Sequence, residues 1–225
     1  MSVQLSPIIA GVMNWGVWDK NLNTNEFTHL INLFIENGIT TFDHADIYGG
    51  YTTEASFGKA LSESKIDRKK IQLITKCGIQ YVSENRPNNS IKHYEYSKDY
   101  IIWSAENSLK NLQTDYLDVF LLHRPSPLMQ ADEIAEAVSK LKADGKILSF
   151  GVSNFTSSQT ELLRQKTEIS FNQVQFSATH HEAMLDGSLD YMQVHNIKPM
   201  AWNPLGTVFR ENTDQTFRLR QLLAK

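Results

Sequence analysis

The chain has 225 residues, a formal net charge of -3 and one cysteine. This length suffices for one domain with a sizeable core, and the charge argues against a dedicated nucleic-acid surface. A single cysteine excludes an internal disulfide. No basic leader with a long apolar core is recognisable, and no run approaches the ~20 apolar residues of a membrane span. We therefore expect a cytoplasmic, soluble protein that binds neither nucleic acid nor membrane.

Strand and helix patterns alternate along the whole chain. A first strand over 7–13 precedes a helix that begins after Asn23, with Glu26 as capping partner, and ends at Gly38. A second strand runs from Ile39 to the ionisable residues that begin at Asp43. Later strands are predicted to end at 76, 123, 152, 177 and 202, separated by helices over 53–61, 97–112, 131–144, 157–166 and 188–195, with a last helix capped by Asp214.

A long polar segment interrupts this alternation after the third strand. Residues 78–97 contain scattered tyrosines and show neither helical nor strand periodicity. Structureless loops of this length are uncommon inside a compact domain and are usually functional or mobile. We expect this segment to form a flap over the site.

The predicted fold is α/β, a TIM-type (β/α)8 barrel formed by one domain over residues 1–225. A Rossmann sheet is less favoured because no Gly-x-Gly-x-x-Gly follows the first strand. Only seven strand and helix units are visible, and a seven-stranded parallel sheet would leave two unpaired edges. We therefore expect the barrel to be C-terminally truncated, with the eighth strand and the last helices outside this chain.

Four ionisable residues stand at the ends of neighbouring predicted strands. Asp43 and Tyr48 follow the second strand, Lys76 ends the third and His123 ends the fourth. The carboxyl ends of parallel strands share one edge, so we expect these side chains to converge. Lys76 would then lower the pKa of the Tyr48 phenol, while Asp43 would hold the ammonium charged and His123 would orient a carbonyl oxygen. Such a group suits carbonyl reduction with a cofactor hydride. A lysine or histidine at a strand end is more often a solvated rim residue, so it is the arrival of all four at successive strand ends that favours catalysis.

These residues also carry a resemblance to a known family. The run Asp43-x-Ala45-x-x-Tyr48, followed by Lys76 and His123 at the next strand ends, resembles the tetrad of the aldo-keto reductases. Further strings at the expected strand ends lie at 151–155, 172–174 and 201–206, so the resemblance covers essentially the whole chain. The strings at 43–51 and 123–125 resemble a bacterial branch of poorly characterised oxidoreductases in that family.

The resemblance implies an NADPH-dependent reduction of an aldehyde or ketone, with NADH not excluded. Tyr48 would be the general acid, Lys76 and Asp43 its tuning pair, and His123 the residue that positions the substrate carbonyl. Trp202 would stack on the nicotinamide. The other implied cofactor contacts are Ser153, Asn154 and Gln173 at the carboxamide, and Asn203, Pro204, Leu205 and Gly206 near the pyrophosphate.

The substrate itself cannot be read from the sequence. Trp15, Tyr51 and Tyr81, with Trp202, predict an aromatic pocket for a small carbonyl compound. The resemblance places the residues that grip the 2'-phosphate of NADPH beyond residue 225. Oligomeric state stays open.

Three other functions remain possible at this stage. One is a non-catalytic, redox-sensing binder of NADPH with the same fold. Another is an aldolase that uses Lys76 as a Schiff-base lysine. The third is a metal-dependent hydrolase, for which the chain has suitable ligand types but no His-x-His or His-x-x-x-His spacing, so we predict no metal site. Its candidate ligands would be Asp43, His44, Asp46, His123, His180 and His181.

Overall fold

The strands and helices of the computed structural model, which describes residues 3–224, follow the alternation that the sequence predicts. The first strand is shorter than expected, at three residues. The strands are β1 (Ile9–Gly11), β2 (Thr41–Asp43), β3 (Gln72–Cys77), β4 (Ile79–Gln80), β5 (His93–Tyr94), β6 (Leu117–Leu122), β7 (Ile147–Ser153), β8 (Phe171–Gln175) and β9 (Lys198–Trp202). The helices are α1 (Thr24–Glu36), α2 (Tyr48–Tyr51), α3 (Thr53–Ser64), α4 (Lys98–Leu112), α5 (Ala131–Ala143), α6 (Ser157–Arg164), α7 (Ser188–Val194) and α8 (Asp214–Leu223).

Seven of these strands form one parallel sheet in the order β1-β2-β3-β6-β7-β8-β9. Spatial order thus follows chain order, with helices in the connections, which is the arrangement of a TIM-type barrel. Among the described residues, β1 and β9 each pair with one neighbour only. The prediction of a seven-stranded part of a (β/α)8 barrel is confirmed.

Two apolar clusters hold the sheet in place. The larger lies between the strands and the surrounding helices and includes Phe27, Phe42 and Phe57, all fully buried. The smaller lies on the opposite face of the strands and is built on Ile74 and Leu121. Successive strand residues point to opposite faces, so one strand supplies both clusters.

Helix boundaries were predicted well where a capping pair marks them. The Asn23 side chain accepts from the Glu26 amide at 3.1 Å, and the Glu26 carboxylate accepts from the Asn23 amide at 2.7 Å. The prediction for the last helix was wrong by one residue. Thr213 has the extended backbone of an N-cap and accepts from the Thr216 amide, whereas Asp214 is already helical. An acidic residue in the first turn still interacts favourably with the helix dipole.

The segment predicted to lack structure contains a small hairpin. Ile79 and Gln80 in β4 pair antiparallel with Tyr94 and His93 in β5. Strands of two residues are too short to show a period of two in the sequence. We call residues 79–95 the flap. Within residues 3–224, no helix combines the length and apolarity needed to cross a membrane.

Candidate active site

The ammonium of Lys76 is the centre of the site. Its Nζ donates to Asp43 Oδ2 at 2.7 Å, to the His44 carbonyl at 2.8 Å and to the Tyr48 hydroxyl oxygen at 3.2 Å. The side chain is 1% exposed. An ammonium has three N–H donors, so all three are used. The three hydrogen bonds therefore fix the orientation of the Lys76 ammonium.

Opposing effects act on the pKa of Lys76. Burial lowers it, but the Asp43 carboxylate and the Tyr48 phenol outweigh burial, so the net pKa lies above the ordinary lysine value. Lys76 is therefore an ammonium at neutral pH, without the free amine that Schiff-base formation requires. This argues against the aldolase interpretation.

Tyr48 sits in a tight turn that follows β2. Its amide donates to the Ala45 carbonyl at 3.1 Å, and the amide of Asp46 donates to the Lys76 carbonyl at 3.0 Å, which ties the turn to β3. The phenol oxygen accepts from Lys76, while its own hydroxyl proton has no acceptor among the described residues. That proton is free for transfer to a bound group.

The expected lowering of the Tyr48 pKa is not the net result. Burial raises the pKa of Tyr48 above its ordinary value, Lys76 lowers it, and Asp43 raises it again. Lys76 acts in the expected direction, but the cost of removing a phenolate from water outweighs its effect. The phenol is therefore neutral at neutral pH and carries the proton that a general acid must donate.

His123 follows β6 directly, and its ring centroid lies 6.2 Å from that of Tyr48. Burial lowers its pKa well below the ordinary value, and the charges of Lys76 and Arg124 add to this effect. The imidazole is therefore neutral at neutral pH. Nδ1 is buried without a hydrogen-bond partner among the described residues. One ring nitrogen of a neutral imidazole carries an N–H that can donate to a carbonyl oxygen.

The residues assigned to the nicotinamide lie along the same edge of the sheet. Trp202 Nε1 donates to Asn154 Oδ1 at 2.8 Å, and Asn154 Nδ2 donates to Ser153 Oγ at 2.7 Å. Gln173 Nε2 donates to Asp43 Oδ1 at 3.2 Å, so this amide also holds the carboxylate beside Lys76. The Asn172 side chain, which the sequence did not single out, has a buried Oδ1 with no partner in the described part of the chain.

The segment from Asn203 to Gly206 forms a turn after β9. The Gly206 amide donates to the Asn203 carbonyl at 2.8 Å, and both residues have positive φ, at 53° and 54°. A Cβ on Gly206 would lie 2.1 Å from Thr179 Oγ1, so the position requires glycine. Pro204 and Leu205 are exposed between them.

The aromatic pocket differs from the sequence prediction. Trp15 is 5% exposed and packs on core rings, with its centroid 5.7 Å from Phe34, so it is a core residue rather than a pocket residue. Trp18, three residues later, instead lies 6.1 Å from both Tyr48 and Tyr81. The sequence shows two tryptophans in a Trp-x-x-Trp spacing after the first strand, but this spacing does not indicate which of the two rings packs into the core.

Tyr51 is also placed differently from the prediction. Its hydroxyl oxygen accepts from the Tyr81 amide at 2.7 Å, and the hydroxyl donates to the Ile79 carbonyl at 3.3 Å. The polar end of this side chain is thus occupied by the backbone of the flap rather than exposed to a pocket.

Two buried acids lie behind the Tyr48 turn, of which the sequence named Asp46 only as a possible metal ligand and did not identify Glu54. Asp46 is 3% exposed and accepts from the Tyr100 and Ser104 hydroxyls at 3.2 Å each. Glu54 is 2% exposed and accepts from Thr75 at 2.6 Å. Burial raises the pKa of both carboxyls, that of Asp46 to about 8, and their mutual proximity adds to the Asp46 shift. The signal was present in the motif, where Asp46 stands two residues before Tyr48.

A separate cavity of about 410 Å³ is formed by residues of the flap and Tyr100. Its lining includes Gln80, Arg86, His93 and Tyr100. None of Asp43, Tyr48, Lys76 or His123 lines it, so it is distinct from the strand-end cluster. Within residues 3–224, no three His, Cys, Asp or Glu side chains are grouped so as to hold a metal ion.

Comparison with known proteins gives a consistent result. A family model described as "Aldo/keto reductase family" matches residues 7–221. The uncharacterised oxidoreductase YcsN of Bacillus subtilis is 48% identical over 225 residues, covering 98% of this chain and 74% of YcsN. A 6-dehydroglucose reductase of Agrobacterium fabrum is 37% identical over 206 residues, covering 91% of this chain and 69% of that protein.

Solved structures agree with the sequence comparisons. The glycerol dehydrogenase AKR11B4 of Gluconobacter oxydans matches with a TM-score of 0.80 and 26% identity, covering 95% of this chain. This chain spans 65% of the length of that protein.

Proposed function

Because the chain belongs to the aldo/keto reductase family, we propose that it reduces an aldehyde or ketone to an alcohol with NADPH, and that Tyr48 donates the proton. The observation that carries this proposal is the geometry at Lys76. The ammonium donates to Asp43, to the His44 carbonyl and to the Tyr48 oxygen. Because Tyr48 accepts this hydrogen bond, its own hydroxyl proton is free.

The chain's own residues divide the proton chemistry among them. The neutral His123 imidazole donates a hydrogen bond to the substrate carbonyl oxygen and brings it to the Tyr48 phenol. Tyr48 releases its proton to that oxygen as negative charge develops there. The resulting phenolate is stabilised by Lys76, which is already aligned at 3.2 Å. This stabilisation grows as the proton leaves, so it lowers the barrier rather than only binding the substrate.

The strand ends beyond the tetrad fit a nicotinamide. Ser153, Asn154 and Gln173 provide hydroxyl and amide groups of the kind that fix a carboxamide. Trp202 is half-buried and offers an apolar ring face. The glycine-dependent turn at Gly206 lies at the same edge of the sheet. When bound there, the cofactor supplies the hydride.

The substrate class is a small carbonyl compound. Trp18 and Tyr81 beside the Tyr48 ring give the site an aromatic wall. Two similar proteins are named 6-dehydroglucose reductase and glycerol dehydrogenase, and both names refer to a hydroxylated compound. Hydroxylated and aromatic aldehydes are therefore the first two groups to test.

The decisive experiment compares wild type with Tyr48→Phe. We expect aldehyde-dependent oxidation of NADPH by wild type and its loss in Tyr48→Phe, because phenylalanine keeps the ring but has no proton to give. Quenching of protein fluorescence by NADPH should be equal in both proteins. Equal oxidation by the two proteins would refute the role of Tyr48. Cofactor binding without turnover in wild type would favour the redox-sensing binder, and repeating both assays with NADH determines the cofactor preference.

A further inference from the structure

The backbone after Tyr48 is strained. Gly49, Gly50 and Tyr51 follow one another with φ of 61°, 63° and 73°. Glycine adopts left-handed φ at little cost, but a bulky residue such as tyrosine does so at an energetic penalty. Residues in such conformations persist only where the surrounding structure holds them. The contacts that hold Tyr51 are therefore informative.

The polar contacts of the Tyr51 side chain come from the flap. The Tyr51 hydroxyl bridges two backbone groups of the flap, accepting from the Tyr81 amide and donating to the Ile79 carbonyl. The Arg86 guanidinium carbon lies 4.6 Å from the centroid of the Tyr51 ring. The ring and the hydroxyl are thus both engaged by a segment about 30 residues away in the chain.

The residue before Tyr51 is attached to the flap as well. The Gly50 carbonyl accepts from Ser83 Oγ at 3.1 Å and from Asn85 Nδ2 at 2.9 Å. Side chains therefore make four hydrogen bonds between the flap and Gly50–Tyr51. The flap is also linked to the Tyr48 ring through Trp18, because the Trp18 ring lies 6.1 Å from the rings of both Tyr81 and Tyr48.

We propose that Tyr51 is a positioning residue whose hydroxyl clamps the flap onto the Tyr48 turn and thereby keeps the Tyr48 phenol aligned on Lys76. The proposal rests on the proposed function for its kinetic consequence. The clamp compensates for the left-handed backbone at Tyr51. Without it, the turn can relax toward ordinary φ, and the phenol of Tyr48 moves relative to the ammonium. A displacement of this kind affects proton transfer more than substrate affinity.

The test compares Tyr51→Phe with wild type and with Tyr116→Phe as matched control. Tyr51→Phe removes only the hydroxyl and keeps the ring beneath Arg86. Tyr116 lies at the opposite end of β6 from His123, and its hydroxyl makes no hydrogen bond to the described residues. A second variant, Ser83→Ala with Asn85→Ala, weakens the same clamp while leaving Tyr51 intact.

The first measurement is amide hydrogen exchange, which does not depend on activity. We expect exchange in peptides covering 44–52 and 79–95 to become about tenfold faster in Tyr51→Phe, the factor that corresponds to one net hydrogen bond. Exchange in other peptides should not change. The double variant should show the same pattern, and Tyr116→Phe should match wild type.

The second measurement is steady-state kinetics with the best aldehyde. We expect kcat to fall about tenfold in Tyr51→Phe while KM changes by less than about threefold. Unchanged exchange in both segments overturns the clamp, and faster exchange with unchanged kcat overturns the positioning role. If wild type itself reduces no carbonyl compound, the proposed function fails, whereas exchange in the 44–52 peptides still decides whether Tyr51 holds the turn.

Discussion

Replacing Asp46 by asparagine tests whether the acid behind the Tyr48 turn is buried in its neutral form. Burial raises the pKa of Asp46 to about 8, and Glu54 adds to the rise, while Tyr100, Ser104 and Arg86 oppose it. The folded protein therefore holds this proton more tightly than the unfolded chain, where the pKa is near 4. Unfolding between about pH 4 and pH 8 releases the proton, so stability falls as pH rises through this window and levels off above it.

The shift from 3.8 to about 8 sets the size of the effect. Each pKa unit corresponds to about 1.4 kcal/mol, so the site contributes a loss on the order of 5 kcal/mol across the window. Asparagine is neutral at every pH and can still accept from Tyr100 and Ser104. Asp46→Asn should therefore remove most of this pH dependence.

The assay is urea unfolding at pH 5, 6.5 and 8, followed by tryptophan fluorescence. We expect the free energy of unfolding of wild type to fall with pH more steeply than that of Asp46→Asn. Asp19→Asn, at an exposed position, is the control and should follow wild type. Equal pH slopes in wild type and Asp46→Asn would show that Asp46 does not take up its proton in the folded state as argued.

Two further predictions concern the residues beside Tyr48. Lys76→Met should abolish carbonyl reduction and lower the free energy of unfolding by about 3–5 kcal/mol, since it leaves the Asp43 carboxylate without its cation. Adding Asp43→Asn should recover part of that stability in denaturant titration, and no recovery would contradict the ion-pair explanation. His123 should stay neutral between pH 6 and 8, because burial holds its pKa well below the ordinary value. The pH profile of kcat/KM in wild type should then show no inflection near pH 6.5 caused by His123. An inflection there that is lost in His123→Gln would contradict the prediction.

Sequence patterns alone were sufficient for the architecture and for the membership of the strand-end cluster. Asp43, Lys76 and His123 follow or end apolar strand runs, and parallel strands bring such ends to one edge whatever the details of packing. The capping pair at Asn23 similarly depends on neighbours only three residues apart. These features are local in the chain or follow from a general rule of sheet geometry.

The tertiary structure decided what depends on distant neighbours. Trp15 and Trp18 are both tryptophans, and the sequence does not distinguish them. Only the packing of Trp15 against Phe34 and its neighbours shows that Trp15 lies in the core. The net pKa of Tyr48 depends on how much water the fold removes, which no motif records. The sequence identifies Tyr51 only as an aromatic residue. Its hydrogen bonds to the flap backbone appear only in the fold, because the partners lie about 30 residues away in the chain. Burial and long-range hydrogen bonds are properties of the assembled chain, so a linear pattern can nominate such residues but cannot assign their contacts.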